Sequence, residues 1–188
     1  MNQDNHQYQD LIQIFIHCFA ESYNTRLERG GDYPIYLPAF LDEDNQPSAR
    51  PYHVILFAHG YYSSASPEIS HWLVAGAERR KLEDFGYWYE PDGRSEAQQR
   101  EFEKVEVKPQ AIEWILATAV TFRYFASADN LTGNAGDNSA FKQAVYEQVK
   151  HYALNGLPKR AEMLRQALSE FYGTANRIEL EKFDLSRI

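Results

Sequence analysis

Ser63-Ser64-Ala65-Ser66-Pro67-Glu68-Ile69-Ser70-His71-Trp72 is the stretch on which the reading of this chain turns. On a helix, residues three and four apart share a face, so Glu68 and His71 point the same way. The run matches the metal-binding pattern His-Glu-x-x-His with Pro67 where the first histidine stands. In that pattern the histidines at i and i+4 hold the metal, and the glutamate between them positions or activates water. A proline side chain carries no lone-pair nitrogen and is no ligand in any protonation state. A second reading of the same residues is structural. Ser66-Pro67-Glu68 forms a helix start, with a hydroxyl cap, proline at the first helical position and an acid in the first turn. Glu68 then serves the helix dipole and His71 packs beside Trp72. The fragment alone leaves both open.

Immediately upstream, His53-Val54-Ile55-Leu56-Phe57-Ala58 is the strongest strand signal, an apolar run bounded by Pro51 and Gly60. It hands over to His59-Gly60-Tyr61-Tyr62, where strands meet functional loops. Downstream, the focal helix is expected to run through Val74 to Arg79 and Arg80, whose charges suit a helix C-terminus. Tyr8, Leu11, Ile12, Phe15 and Phe19 mark one face of a first helix, expected to fray into residues 21–29. Ile35-Tyr36-Leu37 reads as a short strand between prolines. Ser95 to Lys104 reads as a short exposed helix. A separate helix is expected to begin at Pro109, with Ile112, Ile115, Leu116 and Ala119 on its buried face. Residues 139–155 and 158–172 read as two further helices, with Gly156 and Gly173 at left-handed caps. The result is an α+β fold, mostly helical with a small sheet. Residues 1–173 form one domain, followed by a tail at 174–188.

Composition narrows the function classes. A chain of 188 residues is long enough for one substantial core, and 44% hydrophobic content with 14% aromatics places it among globular proteins. A net charge of -8 disfavours electrostatic capture of nucleic acid or an anionic membrane. One cysteine, Cys18, excludes an intramolecular disulfide framework and a thiolate zinc cage, and reads as a small buried hydrophobe. The polar N-terminus lacks a signal-peptide layout and no apolar run spans a bilayer, so a cytoplasmic location is expected. Phosphate loops, dinucleotide fingerprints and nucleophile elbows are absent from the sequence.

Several residues have the chemistry to complete a site around Glu68 and His71. His59 follows the strong strand. Glu106 stands just before the helix expected at Pro109. Tyr87, Trp88 and Tyr89, with Asp92 and Arg94 nearby, have the aromatic faces and charges to hold an alkyl-ammonium side chain. Each also has an ordinary role open to it, as a surface, capping or packing residue.

Six strings then occur together and in order: Pro34-Ile35-Tyr36-Leu37-Pro38, Phe57-Ala58-His59-Gly60-Tyr61-Tyr62, Glu68-Ile69-Ser70-His71-Trp72, Asp84-Phe85-Gly86-Tyr87-Trp88-Tyr89, Pro91-Asp92-Gly93-Arg94 and Val105-Glu106-Val107-Lys108-Pro109-Gln110-Ala111. This set resembles the bacterial elongation factor P hydroxylase family, from about Tyr8 to Tyr172. The resemblance implies a fold like that of His-Glu-x-x-His metallohydrolases and a non-haem Fe(II) site that hydroxylates the modified lysine of translation elongation factor P. It implies two histidines and one carboxylate on the iron. His71 matches the second histidine and Glu106 the carboxylate, with Glu103 as its competitor. Glu68 matches the glutamate inside the motif, with a ligand-orienting or acid–base role, while Tyr87, Tyr89, Asp92 and Arg94 stand as the substrate-binding candidates on their own chemistry. Pro67 stands at the first histidine, with His59 or Glu68 as the candidate to replace that ligand. Two other functions remain: a zinc-type hydrolase using Glu68 as general base, and a protein that binds elongation factor P without modifying it.

Overall fold

The computed structural model describes residues 6–44, 46–86, 94–127 and 138–188. Its elements are α1 (Tyr8–Phe19), β1 (Thr25–Arg29), β2 (Ile35–Leu37), β3 (His53–Phe57), α2 (Tyr62–Val74), α3 (Glu96–Ala119), α4 (Ser139–Asn155) and α5 (Lys159–Tyr172), with short 3-10 turns between and after them. The fold is α+β, as the periodicities predict.

The sheet has the order β1-β3-β2. β3 pairs in parallel with β1, Thr25 opposite His53 through Arg29 opposite Phe57, and antiparallel with β2, Leu37 opposite Val54. Being paired on both edges, β3 needs the most apolar sequence, and Val54, Ile55 and Phe57 are all buried. β1 corrects the expectation of a fraying helix over residues 21–29. Asn24 takes a positive φ of 48°, which ends any helical path, and pairing with β3 then holds Thr25–Arg29 extended. Thr25 and Leu27 alternate inward, so tertiary pairing decides what local propensity left undecided.

Leaving β3, the chain reverses through His59 (φ 61°) and Gly60 (φ 73°). The positive φ favours glycine at position 60, and a Cβ there would lie 2.8 Å from Arg29 Nε, so the arginine side chain would have to shift. α2 then begins four residues earlier than Ser66. Ser64 is the start signal: its Oγ accepts the Tyr61 N–H at 3.2 Å and donates to the Ala58 carbonyl at 2.6 Å. Pro67 is therefore inside the helix rather than at its first position. It cannot donate to the Ser63 carbonyl, a loss that costs about 3 kcal/mol in a helix interior. α2 ends at Val74, not at Arg80, because Ala75 turns extended (ψ 126°). Arg160 Nη2 donates to the Leu73 and Ala75 carbonyls there, and Arg80 Nη1 to Ala75 at 2.7 Å. These two arginines satisfy carbonyls that helix termini leave open.

α3 corrects a second boundary. The segments expected on either side of Pro109 are one helix, opened by a reciprocal cap in which Ser95 N–H donates to Gln98 Oε1 at 2.9 Å. α3 packs against α2, α4 and α5, and that packing outweighs the proline in its middle. Gly173 caps α5 in the left-handed region as expected (φ 64°, ψ 34°), whereas Gly156 has φ 88° with an extended ψ of 154°. The segment after Gly173 forms two short turns and buries Phe183 edge-on against Trp114 at 5.2 Å. Cys18 is half-buried, and burial pushes its thiol pKa up, as suits a packing residue. Among the described residues no helix is long and apolar enough to cross a membrane.

One ring ties stability to pH. His53 Nδ1 accepts the Ala39 N–H at 3.0 Å, which requires an unprotonated nitrogen. Burial first, then the charges of Arg80 and Arg50, hold its pKa below the ordinary histidine value. The neutral ring's contribution is therefore complete above the unfolded-state pKa of about 6.5 and is lost as pH falls from there through the folded value. Between pH 7.5 and 5.5 the melting temperature should fall further for the native protein than for His53→Gln. Identical pH profiles for the two would refute this.

Candidate functional site

α2 and α3 cross so that one face of each lines a cavity of about 600 Å³. Successive turns of α2 bring Ser63, Pro67, Glu68 and His71 to it, while Ile69, Trp72 and Leu73 face the core. α3 contributes Val105, Glu106, Pro109, Gln110 and Glu113, again at helical spacing. The walls are completed by Asp84 and Phe85, which hold positive φ values of 42° and 60°, and by the segment Phe122–Ser127.

At the crossing, His71 Nε2 lies 3.4 Å from Glu106 Oε1. Glu106 is buried, in the middle of α3 rather than ahead of a helix as the sequence suggested. Burial disfavours a charged His71. The hydrogen bond and charge of Glu106, with the charges of Glu68 and Glu113, outweigh it and hold the imidazole pKa above its ordinary value. Asp84 accepts the Tyr36 N–H at 2.7 Å; burial raises its carboxyl pKa, with that bond and His71 opposing. Four carboxylates thus line one cavity with His71 and Arg123 as its basic groups, a field suited to a cationic guest.

Gln110 was not singled out in the sequence, yet it organises this wall. Its Oε1 accepts from Tyr124 Oη at 3.0 Å and from Ser127 N–H at 3.1 Å. Its Nε2 donates to the Ser127 carbonyl at 2.6 Å and, more weakly, to Glu106 Oε2 at 3.4 Å. Burial first, with Glu113 and Glu106 nearby, raises the Tyr124 pKa, so the phenol stays a donor. Gln110→Leu should cost roughly 1–3 kcal/mol, because it strands these partners with no amide to meet them. Urea denaturation checks it, and a midpoint unchanged from the native protein would refute it. The signal available in the sequence was spacing: Gln110 and Glu113 follow Glu106 by four and seven, but only on a helix that runs through Pro109.

The other sequence candidates separate. Glu103 accepts from Gln99 Nε2 at 3.1 Å and does not line the cavity. His59 is exposed at the end of β3 and also lies outside the lining. Arg94 is buried at the start of α3, with its Nε donating to Gln99 Oε1 at 2.9 Å and its guanidinium 3.8 Å over the Phe102 ring. It is not among the cavity residues. Tyr87, Tyr89 and Asp92 lie outside the described residues, as does Trp88.

The donor set also bears on a metal. His71 and Glu106 bring one nitrogen and one carboxylate together, and Pro67 occupies the i position facing the same cavity. Among the described residues no group of three His, Cys, Asp or Glu side chains is gathered to hold a metal ion. These residues do not fit the three-ligand iron site that the resemblance implies, nor a zinc site with three protein ligands.

Comparison with known proteins places this geometry in a family. The chain matches the elongation factor P hydroxylase family over residues 14–183. It belongs to the elongation factor P hydroxylase family. A curated relative from Haemophilus influenzae, named elongation factor P lysine hydroxylase, is 69% identical over 183 residues, covering 97% of this chain and 99% of the relative. Two of the strings quoted above border the cavity. Glu68 to Trp72 spans the cavity and core faces of α2, and Val105 to Ala111 carries the α3 wall.

Proposed function

We propose that this protein acts on translation elongation factor P in the cytoplasm and hydroxylates its modified lysine side chain. The observation that carries the reading is the near full-length, 69% identity to a relative named for that reaction. The cavity supports it chemically. Glu68, Asp84, Glu106 and Glu113 favour an ammonium-bearing arm, and Phe85, Phe122 and Pro109 flank its aliphatic stem. The carboxylates suit the cation, and the His71–Glu106 pair lines the same cavity. Fe(II) is the cofactor implied by the resemblance, and His71 and Glu106 would supply two of its three protein ligands while Pro67 supplies none.

Pro67 favours a second reading, in which the chain binds elongation factor P without hydroxylating it. One experiment separates the two. The purified protein is incubated with Fe(II), oxygen, a reductant and modified elongation factor P, and the factor's intact mass is followed. A gain of one oxygen atom supports hydroxylation. No gain from the native protein alongside a gain from Pro67→His supports binding alone. Absence of both reaction and binding would overturn both.

A further inference from the structure

The segment Phe122–Ser127 is neither helix nor paired strand, yet its side chains alternate with the period of extended chain. Tyr124 is 6% exposed and Phe125 58%, with Arg123 and Ser127 also outward. Among the described residues, the backbone N–H and C=O groups of Arg123, Tyr124, Phe125 and Ala126 make no hydrogen bond. Ser127 differs: its N–H donates to Gln110 Oε1 at 3.1 Å and its carbonyl accepts from Gln110 Nε2 at 2.6 Å. The Gln110 amide therefore pairs with Ser127 as an opposing strand residue would. In extended chain, residues two apart offer their backbone groups to the same edge. Phe125 and Arg123 thus present the next two rungs of the ladder that Gln110 begins, and both line the cavity.

We propose that Arg123–Ala126 is a strand edge on which an extended stretch of the protein substrate pairs, delivering its lysine into the adjoining cavity. This rests on the reading that the substrate is elongation factor P. The mode is β-strand addition, in which main-chain hydrogen bonds supply affinity and neighbouring pockets supply specificity. An exposed edge invites pairing unless it is covered. The pocket beside this one carries Glu68, Glu106 and Glu113, so the complementary strand is one bearing a basic side chain. The mouth adds apolar contact on both sides: Phe125, under the Arg123 guanidinium at 4.3 Å, and Val105 on α3, 44% exposed.

The test is amide hydrogen exchange in the full-length protein, alone and saturated with modified elongation factor P. The expected result is at least tenfold slower exchange at the Arg123 and Phe125 amides in the complex. A complex that forms with unchanged exchange there overturns this edge and leaves the substrate assignment standing. Failure of the factor to bind overturns the substrate assignment and this inference with it. A second measurement compares affinities by calorimetry. Phe125→Pro removes both the side chain and one edge N–H, and should bind at least tenfold more weakly than Phe125→Ser. Leu154→Ser, exposed at the far end of α4, should bind as the native protein does. Equal affinities for the two Phe125 variants also overturn the edge.

Discussion

Pro67→His is expected to bind Fe(II) more than about 100-fold more tightly than the native protein, since even outer-shell changes around metal ligands shift affinity by about 10–100-fold. The residue lies four before His71 on α2, and both side chains border the same cavity. An imidazole at 67 would stand one turn from His71 Nε2 and complete two nitrogens and the Glu106 carboxylate. The same substitution restores an N–H that can donate to the Ser63 carbonyl. In the metal-free protein it should therefore stabilise by up to about 3 kcal/mol, less any repulsion between neighbouring imidazoles. Metal analysis after dialysis reads the first effect, and denaturant unfolding in chelator reads the second. Metal affinity equal to that of the native protein would show that position 67 does not face the ion. A gain in stability without a gain in affinity would confine the proline's effect to the backbone.

Trp72→Ala should destabilise the fold by about 3–5 kcal/mol, a large share of the ~5–15 kcal/mol typical of a whole domain. Trp72 is fully buried. Its ring centroid lies 5.2 Å from Phe15, 4.8 Å from Phe19 and 5.7 Å from Tyr23, and the Arg160 guanidinium lies 4.4 Å above it. Removing the indole opens a cavity among α1, α2 and α5 that these rings cannot close. It also leaves the buried Arg160 with only the more distant Tyr23 ring, at 5.6 Å. Urea titration should show a lower midpoint with an unchanged slope. Trp72→Phe should recover part of the loss, and a loss below 1 kcal/mol for Trp72→Ala would place the residue outside the cooperative core.

Parts of this structure are legible from short-range rules. α4 and α5 follow from helical apolar spacing ended by Gly156 and Gly173. β3 follows from five consecutive strand-forming positions. Two of the boundary differences share one cause. Proline costs least at a helix start, which makes that the local expectation for Pro109 and one of two for Pro67, yet both lie inside helices. Packing of α3 against three other helices stabilises it enough to carry the missing bond. β1 escaped notice because Thr-Arg-Leu-Glu-Arg alternates weakly, and its partner β3 lies beyond β2 in sequence.

The amino-acid sequence by itself determined the family, the α+β class, the shared face of Glu68 and His71, and the inability of Pro67 to hold a metal. Each depends on residue identity or on spacing within one or two helical turns. Tertiary structure alone decided that Glu106, rather than Glu103, meets His71, because that contact depends on where two helices cross. It likewise decided that Gln110 pairs with Ser127 beside the cavity. Local periodicity orients a side chain on its own helix. Only long-range packing determines what stands opposite.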